Sequence, residues 1–217
     1  MIQTSIRKIG ESGLHVLREP GAMITIPPYL MHPLRSNWEA GLPWWNPRAI
    51  RYLRANLPSS GKAFEWGSGG STVWLSNRGL TVTAIESECE WADRVKERCP
   101  AADVRFIPGT NSGEHRSEPQ LRDEGEHFFD EYVSAIDAFP DDSLDVVVVD
   151  GLCRIECARR AGPKVKPSGI VVVDDTNWQF VLPPPETFEG WECLTLSGFK
   201  SNSGPCVYST TFFRRPK

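Results

Sequence analysis

Three groups of residues in this 217-residue chain have types and spacings that suit chemistry. The first is Phe64-Glu65-Trp66-Gly67-Ser68-Gly69-Gly70-Ser71. Glycines directly after a strand let the backbone approach a ligand closely, and the helix that follows offers unpaired N–H groups. Such a loop serves more than one adenosine-bearing cofactor. A dinucleotide fingerprint asks for a third small residue where this chain has Thr72. It also lacks an acid such as Glu65, two residues before the first glycine. A carboxylate there can hold a ligand ammonium but repels a pyrophosphate. The competing reading is a plain tight turn.

The second signal is Glu86, which ends the next predicted strand, 17 residues after Gly69. A carboxylate there can accept bonds from both hydroxyls of a ribose; otherwise it is an ordinary glutamate near a helix start. The third is Asp150 with Asp174 and Asp175, at the ends of two later predicted strands. In open parallel sheets the carboxyl ends of the strands line the ligand crevice. Three carboxylates gathered there repel one another unless a cation neutralises them. An all-oxygen set suits Mg²⁺ or Ca²⁺ better than zinc. The alternative is that these aspartates cap loops or hold a cofactor without metal. Arg154 could hold an anionic group or be a helix-start surface arginine. Asn177 and Trp178 could line an acceptor pocket. Trp38, Trp44 and Trp45 could cover an acceptor or plug the core. His115, in a polar loop, reads as a solvated histidine rather than a base.

The elements that must position these residues alternate. Asn46 caps a predicted helix with Pro47 in its first turn, and Ile50, Leu53 and Leu57 follow at helical spacing. Lys62–Trp66 reads as a strand and Ser71–Arg78 as a helix closed by Gly79. Thr81–Ile85 is the next strand. Ser87 and Glu90 predict a capping box for the helix carrying Trp91, Val95 and Cys99. Val104–Ile107 reads as a third strand. A polar loop runs from Gly109 to about Glu118, and Phe128 to Phe139 form one amphipathic helix. The unalternating run Leu144–Val149 fits a strand buried on both faces of a parallel sheet. Helix Arg154–Lys164 and strand Ile170–Val173 follow. Trp191–Leu196 and Val207–Phe213 have no helix between them and predict an antiparallel pair. The pattern is α/β, a doubly wound and mostly parallel sheet. Residues 1–45 carry prolines and the tryptophan cluster without clear periodicity. They read as an irregular extension, a candidate cap over the acceptor site, ahead of a domain over 46–217.

Composition narrows the function classes. The net charge of −4 and pI of about 5.6 argue against a long nucleic acid as partner, which needs a basic surface. The longest strongly apolar run, Val146–Val149, is too short for a membrane span. No apolar stretch of signal-peptide length lies in the first thirty residues. The six cysteines form no Cys-x-x-Cys pair, which argues against zinc. A reducing, cytoplasmic setting is expected. Assembly is not legible, and a homodimer is one option.

On Glu65-x-Gly67-x-Gly69, Ile85-Glu86, Leu144–Gly151, Gly169–Asp175 and the terminal strand pair, the sequence resembles the class I S-adenosylmethionine-dependent methyltransferases. The resemblance runs from about Asn46 to Arg214. It implies a Rossmann-like seven-stranded sheet ending in an antiparallel hairpin, with S-adenosylmethionine as cofactor. It implies that Glu65 faces the methionine amino group, that Gly67, Ser68 and Gly69 line the methionine moiety, and that Glu86 binds the ribose. Asp150 would sit at the cofactor and, with Asp174, at the reaction. The departure is Ser71, where the family often has a third glycine. The aspartate trio is similar to that of the metal-dependent small-molecule and sugar O-methyltransferases, implying Mg²⁺ on Asp150, Asp174 and Asp175. The expected acceptor is a small molecule or saccharide, methylated at oxygen. No Asn-Pro-Pro-Tyr run of amino-methylating enzymes is present. Rival readings are a nicotinamide-dependent oxidoreductase, opposed by Glu65 and Thr72, and a non-catalytic binding protein, opposed by the intact motif. An aminopropyltransferase-like enzyme lacks support from any extended acidic amine-binding motif.

Overall fold

The computed structural model describes residues 20–25, 36–116, 127–178, 180–200 and 206–217. Much of the predicted N-terminal extension, residues 1–19 and 26–35, lies outside them, as does the end of the predicted polar loop. The described part of the extension holds a 3₁₀ turn over Pro20–Thr25 and a short helix α1, Asn37–Ala40. Ser36 and Glu39 cap α1 reciprocally.

Helix α2, Pro47–Asn56, starts as its sequence dictates: the Asn46 side chain accepts from Ala49 N–H and Pro47 fills the first turn. There follow β1 (Gly61–Trp66), α3 (Gly70–Ser76), β2 (Leu80–Glu86), α4 (Cys89–Arg98), β3 (Asp103–Phe106), α5 (Asp130–Ser134), β4 (Leu144–Val149), α6 (Arg154–Lys164), β5 (Val165–Val173), β6 (Glu192–Phe199) and β7 (Val207–Arg214).

The strands form one seven-stranded sheet in the order β3-β2-β1-β4-β5-β7-β6. The first five run parallel, and β7 pairs antiparallel with both β5 and β6. This confirms the doubly wound sheet with an antiparallel end. It departs from the dinucleotide order 3-2-1-4-5-6, because β7 inserts between the fifth and sixth strands. Val146 to Val149 are fully buried, alternate residues joining the cores on opposite faces of the sheet. That double burial is why the run carries no alternation. The chain leaves β1 towards β2 on one side and returns through β4 on the other. The crevice between the carboxyl ends of β1 and β4 is therefore the switch point where such sheets bind ligands.

Two local expectations fail for physical reasons. The Ser87–Glu90 capping box does not form: the helix starts at Cys89, with Glu88 as its cap residue. The N–H groups of Ser87 and Glu88 instead donate to Glu86 Oε1, at 2.8 and 3.1 Å. The Phe128–Phe139 helix is broken up. Phe128 bridges to Thr110 and Arg116, α5 spans only Asp130–Ser134, and a 3₁₀ turn runs over Ala135–Ala138. Phe139 is extended because Pro140 follows it. All six cysteines are free thiols. Among the described residues no helix is long and apolar enough to cross a membrane.

Candidate active site

A cavity of about 720 Å³ opens at the carboxyl ends of the parallel strands, a size usual for small-ligand sites. One wall is the glycine loop between β1 and α3. Gly67 has a φ of +88°, and a Cβ on it would lie 2.7 Å from the Asp150 carbonyl oxygen. Glycine is required there so that the ends of β1 and β4 can pack together. Gly69 differs: a Cβ would meet nothing nearer than the Trp91 ring at 3.9 Å. Trp91 is itself anchored, its indole N–H donating to the Ser68 carbonyl at 2.7 Å.

Glu86 closes the β2 end of this wall. Its Oε2 accepts from the Ser68 N–H at 3.0 Å and the Ser68 hydroxyl at 2.9 Å. Oε2 thus ties the loop to β2, while Oε1 takes the N–H groups that follow the strand. Burial raises its pKa, and these donors pull it back. Ser68 holds its place by a rotatable hydroxyl, which a ligand hydroxyl can replace.

Glu65 lies beneath the loop rather than on the cavity wall. It is fully buried, and Thr72 Oγ1 donates to its Oε2 at 2.6 Å while accepting from the Gly69 N–H. Its Oε1 has no hydrogen-bond partner among the described residues. Burial pushes its pKa up to about 8.

The opposite wall gathers the three aspartates, with carboxylate oxygens within 4.8 Å of one another. Two cations are built in among them. Lys200 Nζ lies 2.5 Å from Asp174 Oδ2 and 2.5 Å from Asp175 Oδ1. The Arg154 guanidinium lies 3.4 Å from Asp150 Oδ1 and 3.3 Å from Asp175 Oδ2, and donates to the Asp174 and Gly151 carbonyls. Cys153, in the left-handed region at φ +50°, turns α6 so that Arg154 points inward. Asp150 Oδ2 accepts from the Trp45 indole N–H at 2.9 Å, and Asp174 Oδ1 from the Thr210 hydroxyl at 2.6 Å.

Burial dominates these pKa values, raising Asp174 to about 8 and Asp150 in the same direction. Burial also acts on Asp175, but Lys200 and Arg154 outweigh it and hold that carboxyl low. Lys200 is raised, because the three carboxylates overcome its own desolvation.

No protein-family model and no curated protein sequence matches the chain. Solved structures do. An rRNA methylase from Streptococcus thermophilus superposes with a TM-score of 0.51 over 78% of this chain and 95% of its own, at 7% identity. A methyltransferase-like protein from Silicibacter pomeroyi superposes with a TM-score of 0.50 over 79% of this chain and 87% of its own, at 22% identity. The chain has the class I methyltransferase fold.

Within the methyltransferase fold the expected residues divide. Gly67, Ser68, Gly69, Glu86 and Asp150 all border the cavity, and Asp174 and Asp175 join Asp150 there. Glu65 does not border it. S-adenosylmethionine fits what is present: a glycine wall left open at Gly69, an acid at the β2 end, and a cavity of suitable volume. A divalent ion fits poorly, because Lys200 and Arg154 already hold the oxygens it would need. Arg154 is neither a surface residue nor a free anion site; it clasps the ends of β4 and β5.

The tryptophans split as well. Trp45 is core, 1% exposed, whereas Trp38 and Trp44 border the cavity. Trp38 packs against Trp91 with centroids 4.9 Å apart and the rings tilted by 48°. His115 does not border the cavity. Sequence reasoning missed Lys200, Tyr132, Trp91 and Tyr208. Only Trp91 had a signal, its place one turn into the helix after Glu86. Lys200 and Tyr208 come from the terminal hairpin, where nothing local marks them.

Proposed function

We propose that this chain transfers the methyl group of S-adenosylmethionine to an oxygen of a small-molecule or saccharide acceptor. The observation that carries this reading is one cavity with Glu86 and the glycine loop on one wall and Asp150 on the other. Glu86 would take the ribose hydroxyls, with Ser68 yielding its bond. Gly69 would leave room for the methionine moiety. The bound cofactor supplies an electrophilic methyl group on a sulfonium. Asp150 would accept the acceptor's proton, and burial, by raising its pKa, makes it a stronger base than a solvated aspartate. Asp174 would act with it by holding Lys200 in place. Preorganised charge and orientation, rather than covalent chemistry, would lower the barrier.

The segment 36–45 would roof the acceptor half of the site. Leu42 O stands 2.0 Å from where a Cβ on Gly70 would be, so this segment lies directly on the glycine loop. Trp38 and Trp44 would exclude water and offer flat faces to a ring or sugar. A recessed site beside three aspartates suits a compact acceptor better than a phosphate backbone. The test is release of adenosylhomocysteine with a panel of polyhydroxylated small molecules, with structured RNA as the contrast. Transfer to small acceptors, lost in Asp150→Asn with adenosylhomocysteine affinity kept, is expected. Transfer to RNA alone would contradict the reading.

A further inference from the structure

The aspartate cluster has the donor set of a divalent-cation site, but the space is filled from within the chain. Carboxylate oxygens within 4.8 Å of one another could share a hard cation with bonds of about 2.0–2.6 Å. Lys200 Nζ stands at that point, 2.5 Å from an oxygen of Asp174 and 2.5 Å from one of Asp175. Lys200 is 4% exposed, and its ammonium lies over the Tyr208 ring at 4.7 Å, with Trp44 at 5.9 Å. Both rings favour a cation. Its backbone is anchored next to the sheet: Lys200 directly follows Phe199, which is paired with Val207 in the terminal hairpin. Arg154 holds the remaining approach, between Asp150 and Asp175.

We infer that Lys200 is a tethered cation in the divalent-ion position, and that it keeps metal ions out of this site. Among the described residues, three carboxylates against two fixed cations leave one negative charge over. A single further positive charge, a proton or a sulfonium at the cavity, balances it. A divalent ion would overshoot and would also have to push an ammonium away from both its carboxylate partners. Lys200 is therefore a specificity-determining residue: it sets which cation the aspartates hold. It also positions Asp174 and Asp175 without an exchangeable ligand. The inference rests on the proposed methyl transfer only for the meaning of the site; ion occupancy is read without turnover.

The experiment is Mn²⁺ binding followed by electron paramagnetic resonance in wild type, Lys200→Met and Lys200→Met/Asp174→Asn. Methionine keeps the apolar stem and removes the charge. Lys200→Gln serves the same purpose if the methionine variant does not fold, with near-ultraviolet circular dichroism as the check. We expect Lys200→Met to bind Mn²⁺ at least about tenfold more tightly than wild type, the step that corresponds to 1.4 kcal/mol. The added Asp174→Asn change should abolish the gain, which separates this site from the more exposed Glu114, His115 and Asp130 group. Equal binding in wild type and Lys200→Met, or binding in neither, would overturn the inference. Adenosylhomocysteine affinity, measured on the same samples, reports separately on the methyl-transfer reading.

Discussion

Replacing Glu65 by glutamine removes one ionisable proton from beneath the glycine loop while keeping nearly the same shape. Glu65 is fully buried, one of its oxygens has no partner among the described residues, and burial raises its pKa from 4.5 to about 8. A raised carboxyl pKa means that the folded chain binds the proton more tightly than the unfolded chain. The associated stability is fully present below pH 4.5, is lost as pH rises from there, and is gone above about pH 8. One proton's uptake costs at most about 1.4 kcal/mol per pH unit, so the loss between about pH 5.5 and 7.5 is on the order of 3 kcal/mol. Asp174, also raised to about 8, gives a slope of the same sign and remains in the variant. Glu65→Gln should therefore lose stability with pH by about one proton's worth less than wild type. Urea unfolding at the two pH values measures this directly. Identical slopes in the two proteins would mean that Glu65 is already ionised when folded, with the Thr72 hydrogen bond outweighing its burial.

Other perturbations separate structural from ligand-facing roles. Glu86→Ala should weaken adenosylhomocysteine binding by about 1–3 kcal/mol by calorimetry, the range for a hydrogen bond to a charged group; unchanged affinity would remove Glu86 from the ligand. Gly67→Ala should lower the melting temperature, because its Cβ would strike Asp150 O at 2.7 Å in a left-handed conformation. Gly69→Val should stay folded yet lose cofactor affinity; a variant that binds normally would mean that the ligand lies elsewhere. Trp45→Ala should destabilise by about 3–5 kcal/mol in denaturant unfolding, the usual cost for a buried aromatic ring. Trp44→Ala, on an exposed ring at the cavity, should change stability little.

The sheet was legible because its signals are local. Val146–Val149 fits a strand covered on both faces, and two closing strands without a helix between them point to an antiparallel pair. Which residues line the candidate cavity was legible on the same terms where a strand end delivers one, as at Gly67, Glu86, Asp150 and Asp174. Glu65 shows the limit. Its spacing from the glycines points it at a ligand, whereas in the fold the Thr72 hydroxyl holds it under the loop, away from the cavity lining. Glu86 shows another limit, since its carboxylate took the Ser87 N–H that a capping box would have paired with Glu90. Lys200 was invisible because its role depends on a pairing between β6 and β7 that brings it 25 and 26 residues back to the aspartates. An expected Mg²⁺ was the reasonable answer to three carboxylates counted without that lysine.

The central claim is that the cavity beside Gly69 and Glu86 receives the methyl donor. Titration calorimetry of adenosylhomocysteine against wild type and Gly69→Val tests it most directly. The account predicts binding to wild type in the micromolar range, on the order of −7 to −8 kcal/mol, and none to a folded Gly69→Val. Binding of NADH to wild type with no binding of adenosylhomocysteine would contradict it.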